Sequence, residues 1–91
     1  MPYIKKEYRK TVDVFIESLS QAIAKHDTYR VDGVMNYTIS KLMLKVYDNH
    51  GYDYFAFNRM MGVLSCVKDE LYRRVVAKYE DKKIVENGDI L

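Results

Sequence analysis

The sequence has one cysteine, Cys66, and two histidines, His26 and His50, in 91 residues. One cysteine excludes an internal disulfide and a cysteine-built zinc site, and the two histidines have no spacing typical of metal ligands. The sequence therefore predicts neither a metal nor a cofactor. The lone cysteine also favours a reducing compartment, and we expect a cytoplasmic protein.

Long hydrophobic runs are also lacking. No stretch approaches the roughly 18 apolar residues of a membrane span, and the first six residues lack the apolar segment of a secretory signal. Fifteen basic and thirteen acidic residues give a net charge of +2, which is too balanced for the broad basic field of most nucleic-acid-binding surfaces. We therefore expect no membrane association, and nucleic acid is a weak alternative partner.

No catalytic motif stands out. The chain lacks a glycine-rich phosphate loop, the zinc-protease pattern H-E-x-x-H and the redox pattern C-x-x-C. An enzyme would have to use Cys66 as a nucleophile or the carboxylate of Glu70, and neither has a predicted base beside it. The sequence therefore predicts a protein that is not an enzyme.

Apolar periodicity predicts three main helices in a single domain, residues 1–91. Steps of three and four residues mark one apolar face over residues 4–25, a second over 33–48 and a third over 53–77. Residues 26–33 (HDTYRVDG) are predicted as a loop, and Gly51 as the left-handed residue that follows helix 2. Asp53 is a candidate N-cap for helix 3. The fold class expected is all-α, a small antiparallel bundle. The predicted core consists of Phe15, Leu19, Ile39, Leu42, Met61, Leu64 and Leu71.

The last segment, residues 79–91, has two interpretations. Asn87-Gly88 between two apolar pairs matches a two-residue hairpin turn, but the strands would be very short and marginal in water. A short fourth helix from about Tyr79 to Asn87, ended by Gly88, is the preferred prediction.

Self-association is predicted from the length of the chain and from one uncharged helical stretch. A chain of this size hides only about 60–65% of its surface on folding, so a core shared between subunits is favoured. Residues 60–67 (MMGVLSCV) carry no charge and should be covered on more than one side. We expect a homo-oligomer whose interface uses the small residues Gly62, Ser65 and Cys66, which allow a close helix crossing.

The densest group of charged and aromatic side chains lies in residues 68–74 (KDELYRR). Asp69 with Arg73, and Glu70 with Arg74, have the i,i+4 spacing of helix-surface ion pairs, which alone would explain them. The functional alternative is a binding site in which arginine forks hold a carboxylate or phosphate and a tyrosine stacks beside them. The residues predicted for ligand or partner binding are Arg59, Tyr72, Arg73 and Arg74.

Several motifs along the chain belong together: Pro2-Tyr3-Ile4, Asn36-Tyr37-Thr38-Ile39 with Leu42, Gly62-Val63-Leu64-Ser65-Cys66-Val67-Lys68 with Glu70, Tyr72-Arg73-Arg74-Val75, and Tyr79-Glu80-Asp81-Lys82-Lys83 with Glu86-Asn87-Gly88-Asp89. In these motifs the chain resembles a family of short uncharacterised helical proteins found in bacteria and phages. The resemblance implies a helical domain without an established activity, in a phage-linked setting. Family members often have proline where this chain has Lys78, so helix 3 could continue past that point here.

The sequence thus favours a small non-enzymatic binding protein, a homo-oligomer, for an anionic partner. That partner would be a nucleotide-like small ligand or an acidic protein surface. Two alternatives stay open: an adaptor or structural domain without a small ligand, and a weak nucleic-acid-binding module.

Overall fold

The structure is a computed structural model that describes residues 3–48 and 51–91. Within these ranges the chain forms helices and connecting segments and no β-strand, which confirms the predicted all-α class. The hairpin interpretation of the C-terminal segment is wrong, because Ile84 and Val85 lie inside a helix. The chain divides into two compact units, Tyr3–Tyr52 and Asp53–Leu91.

The first unit begins with a single 3-10 turn, Lys6–Tyr8, followed by helix α1, Lys10–Ala24. No side chain caps either of these two N-termini, and the helical hydrogen bonding starts later than the predicted residue 4. The Arg9 Nε atom donates to the carbonyl of Ile4 at 3.1 Å. This bond ties the extended start of the unit to its first turn.

Helix α2 spans Thr28–Tyr47 and contacts α1. It starts five residues earlier than predicted, because Asp27 is its N-cap: the Asp27 carboxylate accepts a hydrogen bond from the Arg30 backbone N–H at 3.1 Å. The predicted eight-residue loop is therefore wrong. Gly33, the predicted start of the helix, lies within the second turn of α2.

The segment after α2 is fixed by two side-chain bonds. The Asp48 carboxylate accepts from the Gly51 N–H at 3.3 Å, and the Tyr52 hydroxyl donates to the Leu44 carbonyl at 2.9 Å. Gly51 has φ of 90°, so its predicted left-handed conformation is confirmed. The predicted turn residues Asn49 and His50 lie outside the described residues.

The second unit contains helix α3, Tyr54–Leu71, a π-helical segment, Tyr72–Val76, and helix α4, Ala77–Asn87. Asp53 caps α3 as predicted, since its carboxylate accepts from the Ala56 N–H at 2.8 Å. The three segments follow one another without a non-helical residue, so the helical run continues through Lys78. It ends where predicted: the Gly88 N–H donates to the Ile84 carbonyl at 2.8 Å, and Gly88 has φ of 91°.

None of the described residues is buried, so the predicted core is wrong for a single chain. Phe15, for example, is 72% exposed. Of the seven predicted core residues, six are exposed and only Leu64 is half-buried. The whole chain exposes 8586 Å². Two separate compact units of this total mass would expose about 6,700 Å². Among the described residues, the apolar helix faces predicted from periodicity are therefore not covered within their own units.

Candidate functional site

The π-helical segment forms the centre of the candidate site. The Ala77 N–H donates to the Tyr72 carbonyl five residues earlier, instead of the usual four. The Tyr72 N–H donates to both the Lys68 and the Asp69 carbonyls, which marks the end of the regular α-helical bonding. One extra residue is thus inserted into the turn. Such single-turn π segments occur often at functional positions of helices.

Tyr72 and Glu80 are joined across this segment. The Tyr72 hydroxyl donates to the Glu80 Oε2 atom at 3.3 Å, although the residues are eight apart. Two regular α-helical turns span about 7.2 residues, so the inserted residue is what brings these side chains to one face. The hydrogen bond to Glu80, and then its negative charge, raise the pKa of the Tyr72 hydroxyl above its ordinary value.

Arg73 is paired with Glu70, and neither predicted ion pair forms. The Arg73 Nη2 atom lies 2.9 Å from one carboxylate oxygen of Glu70 and 3.1 Å from the other. Asp69 with Arg73 and Glu70 with Arg74 were predicted from i,i+4 spacing, which applies to a regular α-helix. Arg73 and Arg74 lie inside the wider π turn, where the i,i+3 pair is formed instead. The pair is exposed at the arginine end, at 64%, so it contributes little stability.

Arg74 is exposed and, within the described parts of the chain, makes no hydrogen bond or ion pair. It follows Arg73 directly in the π segment. A guanidinium without an intrachain partner keeps all five of its N–H donors for water or for a bound anion. Arg74 is therefore the candidate residue with the most binding capacity left.

A shallow depression of about 500 Å³ lies beside the π segment. It is lined by Lys68, Asp69, Leu71, Tyr72 and Val76. Tyr72 is the only predicted site residue in this lining, and the two arginines are not part of it. The depression therefore offers an apolar floor with one ammonium, one carboxylate and one phenol hydroxyl, rather than a pocket closed around an anion.

Arg59 is not part of this cluster. Its guanidinium carbon lies 5.5 Å from the centre of the Phe55 ring, in a cation–π contact. Fourteen residues separate Arg59 from Arg73, which is roughly 20 Å along the helix axis. Within one chain, the structure thus brings together Tyr72, Arg73 and Arg74 and leaves Arg59 about four turns away.

The predicted oligomer-interface residues Gly62, Ser65 and Cys66 are exposed on α3. A Cβ atom added to Gly62 would meet nothing within 4 Å. The chain itself therefore makes no close approach at this glycine. The role of these residues between chains stays a prediction.

The π segment and the Tyr72–Glu80 bond are the features that sequence reasoning missed. The spacing of the apolar residues contained a signal for the π segment. Up to Leu71 the steps alternate between three and four residues, and after it two successive steps of four lead to Val75 and Tyr79. Successive steps of four drift around a regular helix by about 40° each. An inserted residue corrects that drift.

In residues 3–48 and 51–91 there is no group of three or more potential metal-ligating side chains. No helix in the same ranges has both the length and the apolar composition needed to cross a bilayer.

The fold and the site define a small all-α protein with an exposed cluster of tyrosine and arginine on a long helix. Residues 1–90 match a protein family described as a domain of unknown function (DUF6899), and the chain belongs to that family. The match extends over both compact units. No curated protein and no solved structure matches the chain.

Proposed function

We propose that the chain is a non-enzymatic binding protein, acting as a homo-oligomer, that holds an anionic partner at Tyr72, Arg73 and Arg74. The observation that carries the proposal is the π turn, which presents two adjacent arginines of which Arg74 has no partner within the described residues. Guanidinium forks bind phosphate or carboxylate through paired hydrogen bonds, and a tyrosine ring gives a stacking face. A nucleotide-like small ligand would use both.

The Arg73–Glu70 pair does not prevent such binding. An exposed ion pair of this kind is worth at most about 1 kcal/mol, whereas a phosphate offers the same guanidinium more negative charge. We expect Arg74 to make the first contact and Arg73 to exchange Glu70 for the ligand. Glu70 is the partner of Arg73, so an enzymatic use of its carboxylate would have to break that pair.

A second candidate function, a protein adaptor without a small ligand, is favoured by the exposed apolar helix faces. In that case the arginines would meet an acidic protein surface, and in the phage-linked setting suggested by the sequence resemblance that surface would belong to a host protein. Both functions fit a cytoplasmic protein with one cysteine.

The test is a thermal-shift screen of the purified chain against nucleotides, cyclic nucleotides and short DNA. A ligand at 100 times its dissociation constant should raise stability by about 2.7 kcal/mol, a shift of many degrees for a domain this small. The variant Arg73→Ala with Arg74→Ala should lose the shift. The matched control is Lys82→Ala with Lys83→Ala, which removes the same charge from α4 and should keep it.

The outcomes separate the candidate functions. If no anion shifts the wild type while a pull-down isolates an acidic protein that the double arginine variant fails to bind, the adaptor is correct. A shift by DNA of any sequence that disappears at high salt would indicate the weak nucleic-acid module. Ligand binding that survives in the double arginine variant would contradict the proposed site.

A further inference from the structure

One stripe of apolar residues on α3 follows a heptad pattern. From Phe57 to Leu71 its members recur at alternating steps of three and four, as in the seam of a coiled coil. The residues concerned are Phe57, Met60, Leu64, Val67 and Leu71. Continued without interruption, this pattern would require apolar residues at positions 74 and 78.

Positions 74 and 78 are instead Arg74 and Lys78, and the next apolar residues, Val75 and Tyr79, each come one position later. The π segment lies at this point and inserts one residue into the helix. An inserted residue turns the following helix back by about 100°, which returns Val75 and Tyr79 to the stripe. We call the resulting continuous stripe the seam. It comprises Phe57, Met60, Leu64, Val67, Leu71, Val75 and Tyr79.

The seam is not covered within its own unit. Residues 53–91 contain one continuous helical run and a short tail, so no second element of this unit is available to pack on it. Val75 and Tyr79 are each 61% exposed, and the least exposed seam residues, Met60 and Leu64, are only half-buried. An apolar stripe of this length in a water-soluble helix requires a partner surface.

We propose that a second copy of this chain covers the seam, helix against helix. The inference rests on the proposed homo-oligomer and assigns its interface to a different face of α3 from Gly62, Ser65 and Cys66. Leu64 and Cys66 point to opposite sides of a helix, about 160° apart. The two faces can therefore be tested separately.

The exposed area supports a second copy as the occupant. The chain exposes 8586 Å², about 1,900 Å² more than two separate compact units of its size would expose. Summed over both units of two chains the excess is about 3,800 Å², which lies within the range of about 2,000–5,000 Å² for obligate homodimers, and the seam supplies the part of it in residues 57–79. In a parallel pair, an identical helix also has a seam of equal length with the residue insertion at the same place, so the two stripes can match throughout.

The experiment measures self-association by sedimentation equilibrium for the wild type and for two alanine variants at positions two residues apart on α3. Leu64→Ala removes a seam side chain and should raise the dissociation constant at least about 100-fold. The matched control Cys66→Ala, on the opposite side, should stay within about threefold of the wild type. If Leu64→Ala fails to fold, the milder Leu71→Val should weaken association about fivefold.

Wild-type melting at several concentrations gives an independent measurement. The melting temperature should rise with protein concentration, because association and folding are coupled. A folded monomer with a concentration-independent melting temperature would overturn the inference and the homo-oligomer together. An oligomer that Leu64→Ala and Leu71→Val leave unchanged would overturn the seam alone. Anion binding is scored separately, so its failure leaves the seam unaffected.

Discussion

The Tyr72 side chain connects the start of the π segment to α4. Its hydroxyl reaches Glu80 only because the π segment adds a residue between them. The bond also favours the protonated hydroxyl, because a phenolate would lose the hydrogen bond and face the Glu80 carboxylate. The stability that this bond contributes must therefore depend on pH.

The first prediction concerns this pH dependence. The pKa of Tyr72 is raised in the folded chain above its ordinary value of about 10, so the stabilisation is fully present below about pH 10 and is lost as the pH rises through the folded-state pKa. Tyr72→Phe should unfold at a lower urea concentration than the wild type at pH 7–9, and the difference should disappear at higher pH. Tyr29→Phe, in the first unit at a side chain that is 98% exposed, is the control, and its unfolding midpoint should match that of the wild type. Equal midpoints at neutral pH would contradict the Tyr72–Glu80 bond.

The second prediction uses the two glycines inside helices, Gly33 and Gly62. Both have open space where a Cβ atom would lie. Gly33→Ala and Gly62→Ala should each stabilise the chain by about 0.5–1 kcal/mol, because alanine loses less backbone entropy in a helix. Gly88→Ala is the opposite control and should destabilise, since φ at Gly88 is 91°. Urea unfolding gives the sign in each case. If Gly62→Ala instead weakens self-association, the small-residue face is an interface.

At the level of the helices, the sequence predicts a boundary well where a capping residue and apolar periodicity coincide. Asp53 satisfied both conditions and is the N-cap of α3. At α2 the capping residue and the start of the predicted periodicity did not coincide, and the predicted helix start was five residues too late. Asp27 and Thr28 have the composition of a turn, and Gly33 interrupts the apolar periodicity. A turn-forming aspartate and a helix-capping aspartate use the same side-chain acceptor, so composition could not distinguish them.

The site was predicted in part for a similar reason. Tyr72, Arg73 and Arg74 are adjacent in sequence, so any helix would place them close together. Their pairing partners depend on the number of residues in the turn, which changes by one in the π segment. Ion-pair predictions at fixed spacing fail wherever the helix period changes.

The third prediction tests the inserted residue directly. Deletion of Arg74 should leave an uninterrupted α-helix in which every seam residue keeps the heptad spacing, because Val75 and Tyr79 move to positions 74 and 78. We expect helical content and self-association to be retained. Tyr72 and Glu80 would then be seven residues apart, two regular turns, so their bond should persist as well.

Deletion of Asp69 is the matched control. It shortens the same helix by one residue but changes the step from Val67 to Leu71 from four to three, which breaks the heptad. This variant should lose association. Circular dichroism and sedimentation of the two deletions give the comparison. If the Arg74 deletion is the more damaging one for association, the insertion does not serve the seam.

At the level of the whole molecule, the sequence predicted which helix faces are apolar but not what covers them. The predicted core residues belong to those faces, yet Leu42, Met61 and Leu71 are all more than half exposed. Periodicity identifies a face that must be buried, and it holds no information on whether the covering surface belongs to the same chain or to another. The excess of exposed area favours another chain.

The fourth prediction follows from that excess. If the apolar faces are covered by association, dilution below the dissociation constant must expose them or unfold the helices, because no side chain in residues 3–48 and 51–91 of a single chain is buried. The helical circular dichroism per residue should therefore fall on dilution. Over the same concentrations, fluorescence of the apolar dye ANS per mole of chain should rise. In Leu64→Ala, the loss of helical circular dichroism and the rise of ANS fluorescence should both occur at a higher chain concentration than in the wild type. A helical signal that stays constant down to nanomolar chain, with no dye binding at any concentration, would mean that each chain covers its own apolar faces.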